Sequence, residues 1–416
     1  MIDRGARLEI ASIAAGGDGV GRTEGIVVFV PRTAPGDVAR VRIAKAKRFA
    51  RGQLLSLDEP SPARVDPPCP HYTIDRCGGC QIQHLDYHAQ VAAKSVIIGD
   101  ALRRIGRRDV ADPIVEPSDA PWRYRRKLTL HLRRTRDGWI AGLHPYDDPA
   151  AVFDLADCPI TDERVMAVWR ELRPAFDALP REKALRVAVR VMDDGASVTV
   201  EGGHVWRSPE TLLSAAPSVT EVWWRPDDAP VRRVAARERQ QRAGAAFAQV
   251  NAAVAARLRE RLLDRVRAYD PATVLDAYAG TGATTIPLAD EGRRVSAIEL
   301  DRAAVEALTA RISSPSVVID GRVEDHIAEA LPAEVVLLNP PRTGVDERVA
   351  AALETRRTEL RALFYVSCDP ATLARDLARM PGFRLVAVRG YDMFPQTAHV
   401  ETVCVLVPGA PGGGTA

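Results

Sequence analysis

Cys368 and Glu401 carry the chemistry this sequence displays most openly. Cys368 follows the apolar run Leu363 to Val366 in Ser367-Cys368-Asp369-Pro370, and residues 371–380 then read as a helix. A thiol between a strand and a helix N-terminus is expected to have a lowered pKa and to act as a thiolate. Cys404, inside Val403-Cys404-Val405-Leu406, reads as a small core residue instead. Glu401 opens that last strand after Phe394-Pro395-Gln396-Thr397-Ala398-His399-Val400. A nucleophilic thiolate and a carboxylate base are the parts of a covalent addition followed by proton removal.

A cofactor site lies upstream. Val274-Leu275-Asp276-Ala277 reads as a strand running into Tyr278-Ala279-Gly280-Thr281-Gly282, with a helix beginning near Thr284. Gly280 and Gly282 let a ligand approach the backbone. The pattern stops short of the dinucleotide fingerprint, because Thr285 stands where a third glycine would be. Glu299 ends the next strand, 19 residues beyond Gly280, and can hold two ribose hydroxyls. Val335 to Leu338 then leads into Asn339-Pro340-Pro341-Arg342, where two prolines fix the backbone and present Asn339 at the strand end. This combination resembles S-adenosylmethionine-dependent methyltransferases more than dehydrogenases.

Three further thiols crowd into Cys69-Pro70-His71-Tyr72-Thr73-Ile74-Asp75-Arg76-Cys77-Gly78-Gly79-Cys80, and a fourth, Cys158, precedes Pro159. Four thiolates can bind zinc or a [4Fe–4S] cluster, and His71 can replace one of them at zinc; the spacing does not choose. The spacing of radical enzymes is absent. Six cysteines in 416 residues are too sparse for a secreted disulfide framework.

The elements that must position these groups fall into successive stretches. Residues 1–58 alternate short apolar runs with glycine turns and read as a small β-barrel, with Arg40 and Arg42 on one face and Lys45, Lys47, Arg48 and Arg51 close behind. Residues 59–240 read as a proline-rich joint, the cysteine cluster, a helix over 86–106 expected to pack on the catalytic domain, and then mostly strands. Residues 241–408 alternate strands and helices, an α/β doubly wound sheet. Residues 409–416 read as a disordered tail. Residues 1–140 carry 24 Lys and Arg against 16 Asp and Glu, whereas the remainder carries 33 against 39. That asymmetry points to a polyanion met by one end of the molecule. Trp122-Arg123-Tyr124-Arg125-Arg126-Lys127 mixes aromatics with cations in the manner of an RNA-contacting strand. No run of about 18 apolar residues is present and residues 1–10 have no signal-peptide core, so a cytoplasmic location and no membrane partner are expected. No obligate protein partner is implied.

One reaction uses all these parts. Carbon 5 of uracil is a poor nucleophile; a thiolate adding to carbon 6 makes it an enolate that can take a methyl group from a sulfonium. A base then removes the proton from carbon 5, and elimination expels the thiol. In folded RNA the base must leave its stack. The sequence resembles the RNA uracil-C5 methyltransferase family, in particular its ribosomal-RNA branch with an N-terminal TRAM domain and an iron–sulfur cluster. The motifs that carry the likeness are Phe247-Ala248-Gln249-Val250-Asn251, the Leu275 to Gly282 loop, Asn339-Pro340-Pro341-Arg342, Ser367-Cys368-Asp369-Pro370 and His399-Val400-Glu401-Thr402.

The resemblance implies an OB-like TRAM barrel, a mostly β central domain carrying an Fe–S cluster, and a C-terminal Rossmann-like class I methyltransferase domain. It implies Cys368 as nucleophile and Glu401 as base. Gln249, Tyr278, Glu299 and Asn339 would line the cofactor and base site with Gly280 and Gly282, and Asp320, after Val317-Val318-Ile319, would face the adenine side. Cys69, Cys77, Cys80 and Cys158 would hold a [4Fe–4S] cluster, and the substrate would be RNA, 23S rRNA before tRNA. The chain departs from the family with Asn339 in place of the usual Asp, although an amide oxygen still accepts the uracil N3–H. It also has Ala283 where relatives often place Asn, and a longer first gap in the cysteine cluster. Two other classes are compatible with parts of the pattern. An amino-group methyltransferase shares Asn-Pro-Pro but normally has an aromatic next and needs no cysteine. A non-catalytic RNA-binding module would not need Cys368 and Glu401.

Overall fold

The computed structural model describes residues 5–45, 49–192, 195–237 and 249–409. Lys47, Arg48, Phe247, Ala248 and residues 410–416 of the expected tail lie outside them.

Strands Ala6–Ile13, Gly19–Thr23, Ile26–Val30, Val38–Lys45 and Ala50–Glu59 close into a barrel, the fifth pairing between the third and fourth. Their alternation buries Leu8, Ile10, Val28, Val30, Ala39 and Val41 inside. Two arginines fasten the barrel to the cysteine-bearing segment. Arg64 forks onto the fully buried Asp37, with Nε and Nη2 at 2.8 and 2.7 Å. Burial pushes the Asp37 carboxyl up, but Arg64 and the Ala34 and Ser61 amides outweigh it and hold it below the usual range. Arg32 lies 3.2 Å over the Tyr72 ring and donates to the carbonyls of Tyr72 and Cys77.

The central sheet runs Arg232–Ala236, Val219–Arg225, Gly195–Glu201, Ala184–Met192, Lys127–Thr135, Gly138–Leu143, Phe153–Asp154. Leu128, Leu130 and Leu132, with Val187 and Val189 opposite them, face the amphipathic helix Glu163–Leu172 and bury Trp169.

The C-terminal sheet has eight strands in the order Val317–Asp320, Arg294–Glu299, Thr273–Ala277, Val335–Leu338, Ala362–Ser367, Glu401–Pro408, Phe383–Tyr391, Val115–Glu116. The first five are mutually parallel; Glu401–Pro408 is antiparallel to both its neighbours. Val335–Leu338 and Ala362–Ser367 are buried along their whole length, as a sheet covered on both faces requires. The packing crosses the sequence boundary at 240. Helix Tyr87–Arg104, capped by Asp86 on the Ala89 amide at 2.9 Å, buries Ile98 and Leu102 in the same cluster as Leu275, Leu338 and Leu363. Arg108 beyond it donates to the carbonyls of Leu377, Met380 and Phe383. Val115–Glu116 completes the sheet edge.

Candidate active site and cysteine centre

All five parallel strands end at one edge, so their loops share a cleft, the usual ligand position in such a sheet. That edge collects Tyr278, Glu299, Asp320, Asn339 and Cys368. Glu401 joins them for a topological reason: its strand runs the other way and begins where the others finish. The register is specific. The last pair between the two strands is Ser367–Thr402, so Cys368, one residue past the end of its strand, and Glu401, at the start of the next, both lie at this end of the ladder.

Cys368 is half-buried and Glu401 only 4% exposed. Burial pushes the Glu401 carboxyl up to about 7, with Arg342 opposing. The Cys368 thiol is raised rather than lowered, contrary to the expectation from its helix position. Burial is the main cause, the Glu401 charge adds to it, and Arg342 opposes both. The helix Pro370–Ala378 does start there, but its cap Asp369, which accepts from the Thr372 amide at 2.8 Å, places a negative charge beside the sulfur.

Arg342 is a site residue to which the sequence alone assigns no role. Its charge favours the thiolate of Cys368 and acts on Glu401 and His399 as well. The loop that carries it is clamped: Tyr365 Oη and the Val345 amide both donate to Asp376 Oδ2, at 2.7 and 2.9 Å, and Arg375 donates to the Thr343 carbonyl at 2.7 Å. Arg342→Gln is therefore expected to raise the thiol further. Iodoacetamide alkylation of Cys368 should then shift to higher pH, because the cation that favours the thiolate is gone.

On the cofactor side, Gly280 (φ +57°) faces open space where a side chain would stand. Gly282 (φ +84°) is needed for packing, since a Cβ there would overlap Leu308 and meet Ile286 at 3.0 Å. Glu299 accepts from the Gly280 amide at 2.7 Å through Oε2, and from Leu300 and Asp301 at 2.9 and 2.7 Å through Oε1. Its carboxylate is thus held rigid at the cleft while retaining acceptor capacity. Asp320 is exposed and paired with Glu299 in register. Asp276, also unassigned from sequence, is buried and accepts from the Thr284 and Thr285 hydroxyls, both at 2.6 Å. It ties the glycine loop to the helix behind it. Tyr278 is half-buried at φ +68°, its amide on the Ile298 carbonyl. Asn339 is exposed at its strand end. Gln249 is half-buried two residues before Asn251, which caps helix Ala252–Arg267 and donates to Ser118 Oγ at 3.1 Å.

Cys69, Cys77, Cys80 and Cys158 line one cavity of about 190 Å³. All four are buried, and burial first, then their mutual proximity, pushes the Cys77 thiol up to about 11 and raises Cys80 as well. The Gly79 amide donates to Cys77 Sγ at 3.4 Å. Among the described residues no three His, Cys, Asp or Glu side chains converge on a single-ion position. His71 is taken: Nδ1 contacts Asp75 at 2.7 Å and Nε2 accepts from the Ala156 amide, so it has no free ring nitrogen to replace a thiol.

The stretch 122–127 proves largely structural. Arg123 pairs with Asp157 and Glu163 and donates to the carbonyl of Cys158, Tyr124 is buried with its hydroxyl on the Pro395 carbonyl, and Trp122 packs on the central core. The local sequence does not reveal this, because both acids lie more than thirty residues away.

Comparison with known proteins agrees with this geometry. Residues 7–55 match the TRAM domain model, and residues 321–408 match the model of tRNA (uracil-5-)-methyltransferases. A 23S rRNA (uracil(1939)-C(5))-methyltransferase, RlmD, of Acidithiobacillus ferrooxidans is 32% identical over 95% of this chain and 96% of its own. This chain belongs to the RNA uracil-C5 methyltransferase family. An uncharacterized RNA methyltransferase of Thermosynechococcus vestitus is 32% identical over 96% of this chain and 97% of its own. The Pyrococcus abyssi tRNA (uracil-54, C5)-methyltransferase, solved with S-adenosyl-L-homocysteine, shares the fold, with a TM-score of 0.71 over 97% of this chain and 100% of its own at 22% identity. The class I methyltransferase fold and the small TRAM barrel of the family are thus both present, and RNA is the family's substrate.

Proposed function

We propose that this RNA uracil-C5 methyltransferase acts on a uridine of 23S rRNA, with Cys368 as nucleophile and Glu401 as base. The observation that carries the assignment is that the strand of Glu401 begins where the strand leading to Cys368 ends, with Ser367–Thr402 as the last pair between them. Bound S-adenosylmethionine supplies an electrophilic methyl group. Glu299 and Asp320 would hold its ribose and adenine ends, the open backbone at Gly280 would admit it, and Tyr278 and Gln249 would border it. Asn339 would accept the uracil N3–H.

The thiol pushed up by burial must ionise to add to carbon 6, and Arg342 is the group that favours its anionic form. Glu401, near pH 7, sits where a general base works best: ionised often enough to accept the carbon-5 proton and basic enough to take it. As that proton leaves, its electron pair re-forms the ring double bond and the sulfur–carbon bond breaks.

Cys69, Cys77, Cys80 and Cys158 suit a [4Fe–4S] cluster. They line a single cavity several times the roughly 30 Å³ share of one water, with an amide directed at a sulfur. Its role would be to fix the cysteine loop on which Arg32 seats the barrel. Iron and sulfide analysis of anaerobically purified protein separates this from zinc. The activity test is nucleoside analysis after incubation with labelled cofactor and either 23S rRNA or tRNA. Label in 5-methyluridine from 23S rRNA is expected. Label in tRNA alone overturns the rRNA assignment, and label on an exocyclic nitrogen overturns the chemistry.

A further inference from the structure

Glu401 is reached through a nine-residue turn, 392–400, that closes on the Tyr391–Glu401 pair. The groups that hold this turn come from elsewhere in the chain. Lys94, in the middle of helix Tyr87–Arg104, is fully buried with Asp392. Its Nζ is 2.5 Å from Asp392 Oδ1 and donates to the Phe394 carbonyl at 3.0 Å, across 298 and 300 residues of sequence. One helical turn earlier, Gln90 makes a reciprocal amide pair with Gln396: Nε2 donates to its Oε1, and Oε1 accepts from its backbone amide, both at 2.9 Å. Gln396 sits at φ +70°, a conformation that needs such support. Tyr124 caps the Pro395 carbonyl at 3.0 Å, and the Ile82 amide donates to the Gln396 carbonyl at 3.2 Å.

We propose that Lys94 is a positioning residue for Glu401: with Gln90 it locks the 392–400 turn against the helix and so fixes where the strand bearing the base begins. An ion pair taken wholly out of water contributes little net stability, because desolvation offsets the attraction, whereas it can specify one geometry. The reciprocal glutamine pair adds a second fixed point four residues along the turn. Cys368 is carried by a different strand and loop, and none of these contacts touches it.

The inference rests on the covalent mechanism proposed above, and it predicts a particular failure. With the turn loosened, addition of the Cys368 sulfur to carbon 6 and methyl transfer still proceed. Removal of the carbon-5 proton by Glu401 does not keep pace, so the sulfur–carbon bond persists. Lys94→Met with Asp392→Asn, which removes both charges together, and separately Gln396→Ala, are assayed with methyl-labelled S-adenosylmethionine and an unmodified rRNA fragment. We expect kcat to fall tenfold or more in the first and several-fold in the second, KM for RNA to stay within twofold, and a denaturation-resistant protein–RNA adduct carrying the methyl label to accumulate. Unchanged turnover, or lost turnover without labelled adduct, overturns the positioning role. If the double variant does not fold, Gln396→Ala decides by the same criteria. The wild-type protein with RNA containing 5-fluorouridine tests the mechanism itself: failure to trap an adduct there sinks the covalent reading rather than the role of Lys94.

Discussion

Cys368→Ala is expected to abolish methylation while leaving cofactor binding intact. Without a sulfur at carbon 6 there is no enolate, and carbon 5 of the ring has no electron pair to offer the methyl group. The neighbours cannot replace it. Glu401 is a buried carboxyl on the next strand, Arg342 is a cation, and Cys404 is fully buried in the hydrophobic core. We expect kcat to drop by at least about 10⁴-fold, roughly 5.5 kcal/mol of lost transition-state stabilisation. S-adenosylmethionine affinity, by contrast, should change by less than about twofold, because Gly280 lies in the loop after Thr273–Ala277, Glu299 and Asp320 end two further strands, and non-contacting sites behave independently. The measurement is methyl incorporation beside calorimetric cofactor binding on the same preparation. Normal incorporation by the alanine variant would remove the nucleophile assignment. Loss of incorporation together with cofactor binding would mean that the substitution damaged the fold. Cys404→Ala is the matched control, expected to cost stability by a small core truncation but not the chemistry.

Much of this centre is legible in the residue pattern. Apolar runs that end in glycine, acid, Asn-Pro-Pro and cysteine are the signature of parallel strands, and parallel strands present their ends at one edge, so the grouping of Gly280, Glu299, Asn339 and Cys368 follows from pattern alone. The cross-strand arithmetic is not contained in that pattern. Cys368 and Glu401 come to the same end of the ladder because Ser367 pairs with Thr402, and register between strands some thirty residues apart is set by packing. The direction of the Cys368 shift escapes the pattern for a related reason. The local helix start is visible in sequence, whereas the burial and the Glu401 charge that outweigh it are tertiary. The Lys94–Asp392 contact, spanning 298 residues, leaves no local trace at all. Arg342 does have a signal, a fixed position two prolines beyond Asn339, but the Asp376 bond that holds the far side of its loop joins segments some thirty residues apart.

Glu401→Gln should stall the enzyme after methyl transfer rather than before it. The amide keeps the shape and cannot take the carbon-5 proton, so kcat should fall by about 10²–10⁴-fold, the usual worth of a positioned base, and the methylated adduct on Cys368 should build up. Two pH signatures accompany this. In the wild type the base must be ionised, so kcat is expected to rise with pH through about 7, where burial places this carboxyl; in the variant that limb disappears. At the same time the thiol loses the anionic neighbour that helps to raise it, so alkylation of Cys368 should move to lower pH in Glu401→Gln. Stability moves in the unusual direction. The folded-state pKa lies above the unfolded value of about 4.5, so the native protein binds the extra proton in this window and loses stability as pH rises from about 4.5 to 7. Above pH 7 the ionised buried carboxylate is a burden on the fold that glutamine does not carry. The variant should therefore unfold at higher urea than the wild type at pH 8, by about 3 kcal/mol, and at the same urea near pH 4. A variant that is inactive, traps no adduct and is less stable at pH 8 would place Glu401 among the structural residues and leave the carbon-5 proton without an acceptor on this strand.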